Sequence, residues 1–240
     1  MTGLPHRLAV GGCALLDLVV DLRCPGCGAL PAPGAPCAGC AAAWAAPRLD
    51  RLDGIPLASC GPYAGPVRAS VLAYKEAGGR RLAGELGGRL AVAVRALPAL
   101  PAPLLLVPVP ASPAARRRRG HDHGVSLARA AAAALRRGGT PATALPALRL
   151  TRRVADSAPL NRAERAANLA GAFGLRRGAV AAGAGGAVVL VDDVVTTGAT
   201  VREARAALVS GGGDVVGVVC LAGPQPRHAG APVGPPEILV

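Results

Sequence analysis

Ala187-Val188-Val189-Leu190-Val191-Asp192-Asp193-Val194-Val195-Thr196-Thr197-Gly198-Ala199-Thr200 is the stretch whose reading decides the fold. Val188 to Val191 form an unbroken apolar run, the pattern of a strand buried on both faces in a parallel sheet, and two carboxylates, Asp192 and Asp193, stand at its carboxyl end. Open α/β sheets bind their ligands at that end. Behind the acids, Thr196, Thr197, Gly198, Ala199 and Thr200 bring hydroxyls and a permissive backbone. They precede an amphipathic run in which Val201, Ala204 and Leu208 recur at helical spacing. The free N–H groups of a helix start, the hydroxyls and the positive end of the dipole then converge on one spot, an anion cradle. A capped strand-to-helix turn uses the same residue types. Two acids, three threonines and a glycine on one buried strand go beyond what a cap requires.

Acids beside an anion cradle suit a ligand that carries both hydroxyls and a phosphate. A carboxylate accepts hydrogen bonds from two neighbouring ribose hydroxyls but repels a bare phosphate unless a cation lies between them. Ribose 5-phosphate satisfies both halves. A P-loop nucleotide site would need Gly-x-x-x-x-Gly-Lys-[Ser/Thr], and the one lysine, Lys75, lies between Tyr74 and Glu76. A dinucleotide fingerprint fails as well, because the glycines at 183, 185 and 186 lack its spacing and precede their strand. Residues 189–200 resemble the signature of type I phosphoribosyltransferases, which bind phosphoribosyl pyrophosphate. The resemblance implies that Asp192 and Asp193 hold the ribose hydroxyls, as the catalytic pair, and that Thr196, Thr197, Gly198, Ala199 and Thr200 wrap the 5-phosphate.

A chain of 240 residues can bury a full core and fits one principal domain plus a small accessory unit. Net charge is +13, an excess of cations suited to phosphates, nucleic acid or acidic partners. Aromatic residues make up only 2%, too few for an extended base-stacking platform. Residues 4–20 read as a short helix; Asp17 interrupts the apolar run that a secretory signal would need. No stretch is long and apolar enough to span a bilayer, so the expected location is the cytoplasm.

Cys24-Pro25-Gly26-Cys27 and Cys37-Ala38-Gly39-Cys40 are matched Cys-x-x-Cys knuckles. Each aims two thiolates at one point, and two of them complete a tetrahedral S4 site, with structural zinc as the first reading. Disulfides are the alternative, disfavoured in a reducing compartment. Cys13, Cys60 and Cys220 have no partner at metal spacing and read as small buried side chains.

Between these landmarks, residues 41–53 read as a linker with one tryptophan, residues 57–63 as a strand, and Val67, Val71 and Tyr74 as one face of a brief helix leading to Lys75. Leu82, Leu86, Leu90, Val94 and Leu97 mark a second helix that Pro98 ends. Residues 104–110 read as a buried strand feeding a basic segment, 111–123, and then a helix with Val125, Ala128, Ala132 and Leu135 inward. His121 and His123 in that segment are expected to be exposed. Residues 145–150 read as a strand, 152–165 as a mobile basic loop around the polar run 155–161 and leading into a short helix, and 215–221 as the last buried strand.

The paired knuckles, Tyr74-Lys75, Val107-Pro108-Val109-Pro110, Arg119-Gly120, the Arg165-to-Phe173 stretch and the 192–200 signature stand in the order found in the ComF family, and the chain resembles that family from about residue 15 to 222. The resemblance implies a type I phosphoribosyltransferase-like parallel sheet flanked by helices, with a small zinc-ribbon-like unit in residues 1–50, the main domain in 51–222 and a disordered tail in 223–240. It implies phosphoribosyl pyrophosphate and Mg2+ as ligands, with Arg119, Gly120, Arg162, Arg165 and Lys75 as candidates for the pyrophosphate. Transfer to an acceptor is the first expectation. The alternative is a non-catalytic binding module acting in DNA uptake through single-stranded DNA or a helicase partner. The family usually has Phe-Asn-Gln after its Arg-Gly, where this chain has His121-Asp122-His123.

Overall fold

In the computed structural model, residues 23–30, 36–44, 46–76, 79–152, 168–179 and 186–224 are described. The helix expected at 4–20, Cys13, the expected basic loop from residue 153 onward with Arg162 and Arg165, and residues 225–240 lie outside them.

The decisive stretch is a strand followed by a helix. Ala187–Val194 (β7) is buried from residue 187 to 191, and its side chains alternate between two cores. Val189 and Val191 face one, Val188 and Leu190 the other. Burial on both faces explains why no polar residue interrupts the run until the acids. Leu104–Pro108 (β3), every residue buried, pairs with β7 in parallel, and so does Val215–Ala222 (β8) on the other side. Ile55–Ser59 (β2) extends the parallel sheet beyond β8, and Ala142–Ala144 (β4) beyond β3. Arg48–Leu52 (β1) adds an antiparallel edge, giving the order β1-β2-β8-β7-β3-β4.

Helices cover both faces. Gly65–Lys75 (α2), Ala83–Ala96 (α3) and His123–Arg137 (α5) pack on one, and Ala199–Ser210 (α6) on the other. The leucine and valine stripe read along α3 is buried, as is the Val201, Ala204, Leu208 stripe of α6. Gly87 is where α3 meets α5: a Cβ there would lie 2.4 Å from that of Ala130. A short α1 (Ala38–Ala42) carries Cys40, and Pro113–Arg119 (α4) lies between β3 and α5. Leu148–Leu150 (β5) and Phe173–Leu175 (β6) form a separate antiparallel pair over α6.

Several expectations are corrected. Residues 41–53 are not a linker: Trp44 is buried in the main core under the Arg89 guanidinium, and β1 forms the sheet edge. The basic segment contains α4, whose start was written in Ser112-Pro113; the Ser112 hydroxyl accepts the Ala115 N–H and Pro113 sits in the first turn. Along α5 it is Leu127, Ala128, Ala131, Ala132 and Leu135 that fill the core, with Val125 only half-buried. The expected strand at 145–150 is reduced to β5, which lies outside the main sheet.

This topology places the site. The connection leaving β3 reaches β4 through α5 on one face, whereas the connection leaving β7 reaches β8 through α6 on the other. Neighbouring parallel strands whose helices depart to opposite faces leave a crevice between their carboxyl ends, where an α/β sheet takes its ligand. Asp192 and Asp193 stand at that crevice. Among the described residues no helix is long and apolar enough to cross a membrane.

Candidate functional site

Asp192 and Asp193 extend β7 beyond its buried part and are both half-buried. Asp192 Oδ1 accepts the Asp193 N–H at 2.8 Å, and Asp193 Oδ1 meets Lys75 Nζ at 2.9 Å. Lys75 comes from the last turn of α2, far away in sequence. Burial, then the neighbouring charge of Asp193, pushes the Asp192 carboxyl up to about 7, with Lys75 and the Asp193 N–H pulling the other way. Among the described residues, Lys75 is the one cation in an ion pair with these acids.

Thr196 to Thr200 follow as a turn into α6. Gly198 is its N-cap with φ 77°, a left-handed conformation that favours glycine, and a Cβ there would lie 2.5 Å from Leu52 Cδ1. The Ala199 N–H reaches Thr197 Oγ1 at 3.5 Å, and Thr196 is exposed. Arg202, one turn into α6, donates to the Thr197 carbonyl at 2.9 Å and pairs with Asp53, whose carboxyl it holds below the ordinary range. The β1–β2 turn thus bears on the cradle from outside, through Leu52 and Asp53.

Two cavities open at this edge. The larger, about 480 Å³, is lined by Tyr63, Lys75, Arg119, Leu169, the two acids and the turn through Thr200. The smaller, about 250 Å³, shares Arg119, Asp192, Asp193 and Thr200 with it and adds Ser112, His123 and residues 109–111. They are lobes of one site. Another cavity, about 510 Å³, opens at the amino-terminal end of the strands near Ala187 and Asp214, remote from the acids and lined mostly by apolar side chains.

Asp192, Asp193, Thr196, Thr197, Gly198, Ala199, Thr200, Lys75 and Arg119 therefore surround one space. Gly120 lines neither lobe; it ends α4 with φ 74° and is exposed. Arg116, Arg117 and Arg118 are exposed on α4 outside both lobes.

The expectation that His123 is exposed is overturned: its relative exposure is 1%. Asp122 caps α5 by accepting the Val125 N–H, which turns residue 123 inward; the signal was in the Asp-x-x-Val spacing. The ring stacks on His121 with centroids 4.1 Å apart and meets Tyr74 edge to face at 4.9 Å. Tyr74 Oη donates to the His123 carbonyl at 2.8 Å. Burial, then the charges of His121 and Arg119, lowers the His123 imidazole to about 4, so the ring is neutral at ordinary pH. Sequence reasoning also missed Tyr63, Leu169 and Ser112, which carry no motif.

The cysteine knuckles close on one point. All four sulfurs lie within 4.8 Å of one another, close enough to hold a metal ion. Cys27 and Cys37 sulfurs are 3.8 Å apart. A tetrahedral S4 site with Zn–S near 2.3 Å has edges of about 3.8 Å, whereas a disulfide needs about 2.05 Å. The N–H groups of Gly26 and Cys37 point at Cys24 Sγ, at 3.4 and 3.2 Å. Burial raises the Cys24 thiol, but N–H donation from Cys37, Cys27 and Gly26 outweighs it and brings the thiol down to about 6. The knuckle rests on the start of α2: a Cβ on Gly26 would lie 3.1 Å from Pro66 Cβ. Cys60 and Cys220 are buried, and burial pushes the Cys60 thiol up to about 12.

No protein-family model matches the chain, and no curated protein matches it at a significant level.

Proposed function

We propose that this chain is a phosphoribosyltransferase-like protein of type I fold, similar to the ComF family, which binds phosphoribosyl pyrophosphate with Mg2+ and passes the phosphoribosyl group to an acceptor. The observation that carries the reading is the convergence, on one cavity of about 480 Å³, of two half-buried carboxylates and a helix-start cradle with a left-handed glycine. That volume falls in the range of small-molecule sites, ~300–1,000 Å³. Thr196, Thr197, Gly198, Ala199 and Thr200 take the 5-phosphate through backbone N–H groups and hydroxyls. Asp192 and Asp193 accept from the two ribose hydroxyls. Arg119, which lines both lobes, and Lys75, which pairs with Asp193, are cations available to the diphosphate.

Two acids that share a single lysine suit a divalent cation, and Mg2+, when bound, would offset charge between carboxylates and diphosphate. In the reaction the acceptor's lone pair forms a bond to ribose C1 while the C1–O bond to diphosphate breaks, its electrons leaving with the diphosphate; the acceptor's proton passes to solvent. The protein's part is to orient the ribose and stabilise the departing charge, with no covalent intermediate. The cysteine unit holds structural zinc. Four thiolates fill its coordination sphere, so the metal braces the fold instead of doing chemistry.

The second reading is a non-catalytic binding module acting in DNA uptake. Arg116, Arg117 and Arg118, exposed beside the site yet outside its cavities, favour it.

Titration with phosphoribosyl pyrophosphate, with and without Mg2+, tests the site. The Asp192→Asn, Asp193→Asn double variant is expected to lose at least about 100-fold in affinity, since each carboxylate makes charge-assisted hydrogen bonds. Unchanged binding in that variant would refute the assignment. Pyrophosphate release with one of a panel of acceptors supports transfer; binding without release across the panel, joined to salt-sensitive single-stranded DNA affinity that falls when Arg116 to Arg118 are replaced, supports the second reading.

A further inference from the structure

The small lobe contains a group that neither the signature nor the basic segment accounts for. His123 is almost wholly buried, yet neither of its ring nitrogens has a hydrogen-bond partner among the described residues. Burying polar atoms unpaired costs stability, and a native fold seldom keeps two of them on one ring without a use. The ring is also held firmly. His121 stacks on one face, Tyr74 meets it edge to face, and the Tyr74 hydroxyl fixes the backbone beneath it. His123 lines the small lobe, as do Arg119 and Ser112.

We propose that His123 is a specificity-determining residue: its imidazole N–H donates to an oxygen of the group that fills the small lobe, so that the lobe selects a ligand presenting hydrogen-bond acceptors there. The inference rests on the phosphoribosyl reading, in which that group is the diphosphate end of the ligand. A neutral imidazole offers one donor and one acceptor. Beside the Arg119 cation it adds direction to what would otherwise be charge attraction alone. With the ring immobilised before the ligand arrives, little ordering remains to be done on binding. A ligand lacking acceptors at that point leaves the donor buried and unpaired, which is how polar sites reject close analogues.

Inorganic pyrophosphate with Mg2+ probes the small lobe, and ribose 5-phosphate probes the cradle. His123→Phe keeps a ring between His121 and Tyr74 but removes both nitrogens; His123→Gln restores a donor. In His123→Phe, pyrophosphate affinity is expected to fall about tenfold while ribose 5-phosphate affinity stays constant. The melting temperature should hold or rise, because an unpaired polar group has left the core. His123→Gln should regain part of the pyrophosphate affinity. Unchanged pyrophosphate affinity in His123→Phe would overturn the inference, as would equal losses for both probes with a lowered melting temperature, the mark of a packing role. Wild-type protein that binds ribose 5-phosphate but not pyrophosphate also overturns it and leaves the cradle assignment standing. Failure of both probes removes the phosphoribosyl reading itself.

Discussion

Cys24, Cys27, Cys37 and Cys40 lie on one short segment, whereas the carboxylate site draws on Tyr63, Lys75, Arg119, His123 and residues 192–200. In the first, two tight turns bring the sulfurs together and the N–H groups of the same turns point at Cys24. In the second, the order of strands does the work: β3 and β7 lie side by side, and their helices leave in opposite directions. The two centres also differ in how they stand toward stability. The knuckle gathers thiols that a metal would relieve of crowding. The carboxylate edge keeps an acid at about 7 and an imidazole whose nitrogens have no hydrogen-bond partner among the described residues, both costs to the fold. Breaking the first should therefore damage the fold, and breaking the second should damage binding while sparing or strengthening the fold.

The largest effect is expected at the knuckle. Metal analysis of the purified protein should find about one zinc per chain. Its removal by a strong chelator, or Cys24→Ser with Cys40→Ser, is expected to lower the melting temperature by about 10 °C or more, because metal binding and local folding are coupled. α2 carries the contrast further. Its first turn supports Gly26 through Pro66, and its last presents Lys75 to Asp193. Metal loss should therefore also weaken pyrophosphate binding. A metal-free protein with an unaltered melting curve would refute the structural role and dissolve the comparison.

A smaller effect of opposite sign is expected from Asp192→Asn alone. The folded protein holds this carboxyl at about 7, above the unfolded value of about 3.9. The folded state thus binds the proton more tightly, and ionising the group costs stability progressively as pH rises from about 4 to about 7. Asparagine keeps the Oδ1 that accepts the Asp193 N–H and carries no charge. At pH 8 the variant should melt a few degrees higher than the wild type, and below pH 4 the two should coincide. Thermal scans across that range check it. A variant that melts lower at pH 8 would mean that Asp192 serves the fold, as the cysteines do.

What could be read from the sequence divides along the same line. Cys-x-x-Cys spacing is a local code, and so is the apolar run that ends in Asp192 and Asp193; both placed their residues correctly because the backbone around them decides the geometry. The helical stripes of α3 and α6 are legible for the same reason, since a period of 3.6 residues needs no knowledge of the partner. His123 was different. A histidine in a basic segment reads as exposed, and it is the Asp122 cap together with the packing against Tyr74 that buries it. Lys75 was named through the family resemblance, while its pairing with Asp193 comes from the packing of α2 on the sheet. Trp44 illustrates the limit from the other side: it stands in a stretch rich in alanine and proline that carries no period, yet it is buried in the main core.

The smallest effect is expected where the two kinds of construction meet, at the turn between β1 and β2. Arg202 binds Asp53 through two of its nitrogens, at 2.5 and 3.3 Å, while a third donates to the Thr197 carbonyl. The pair is largely exposed, at 38% and 48%, so water and salt screen it and its contribution to stability is slight. On the phosphoribosyl reading, the Arg202 bond holds the Thr197 carbonyl back from the phosphate. Asp53→Asn keeps one acceptor but loses the charge, and should leave the melting curve nearly unchanged while weakening ribose 5-phosphate binding about twofold to threefold at low salt. The difference from wild type should vanish at about 1 M salt, where the screening length falls to about 3 Å. A loss that persists there, or one as large as that of the aspartate double variant, would mean that the cradle is shaped by the clamp from the sheet edge and not by Gly198 and the end of β7.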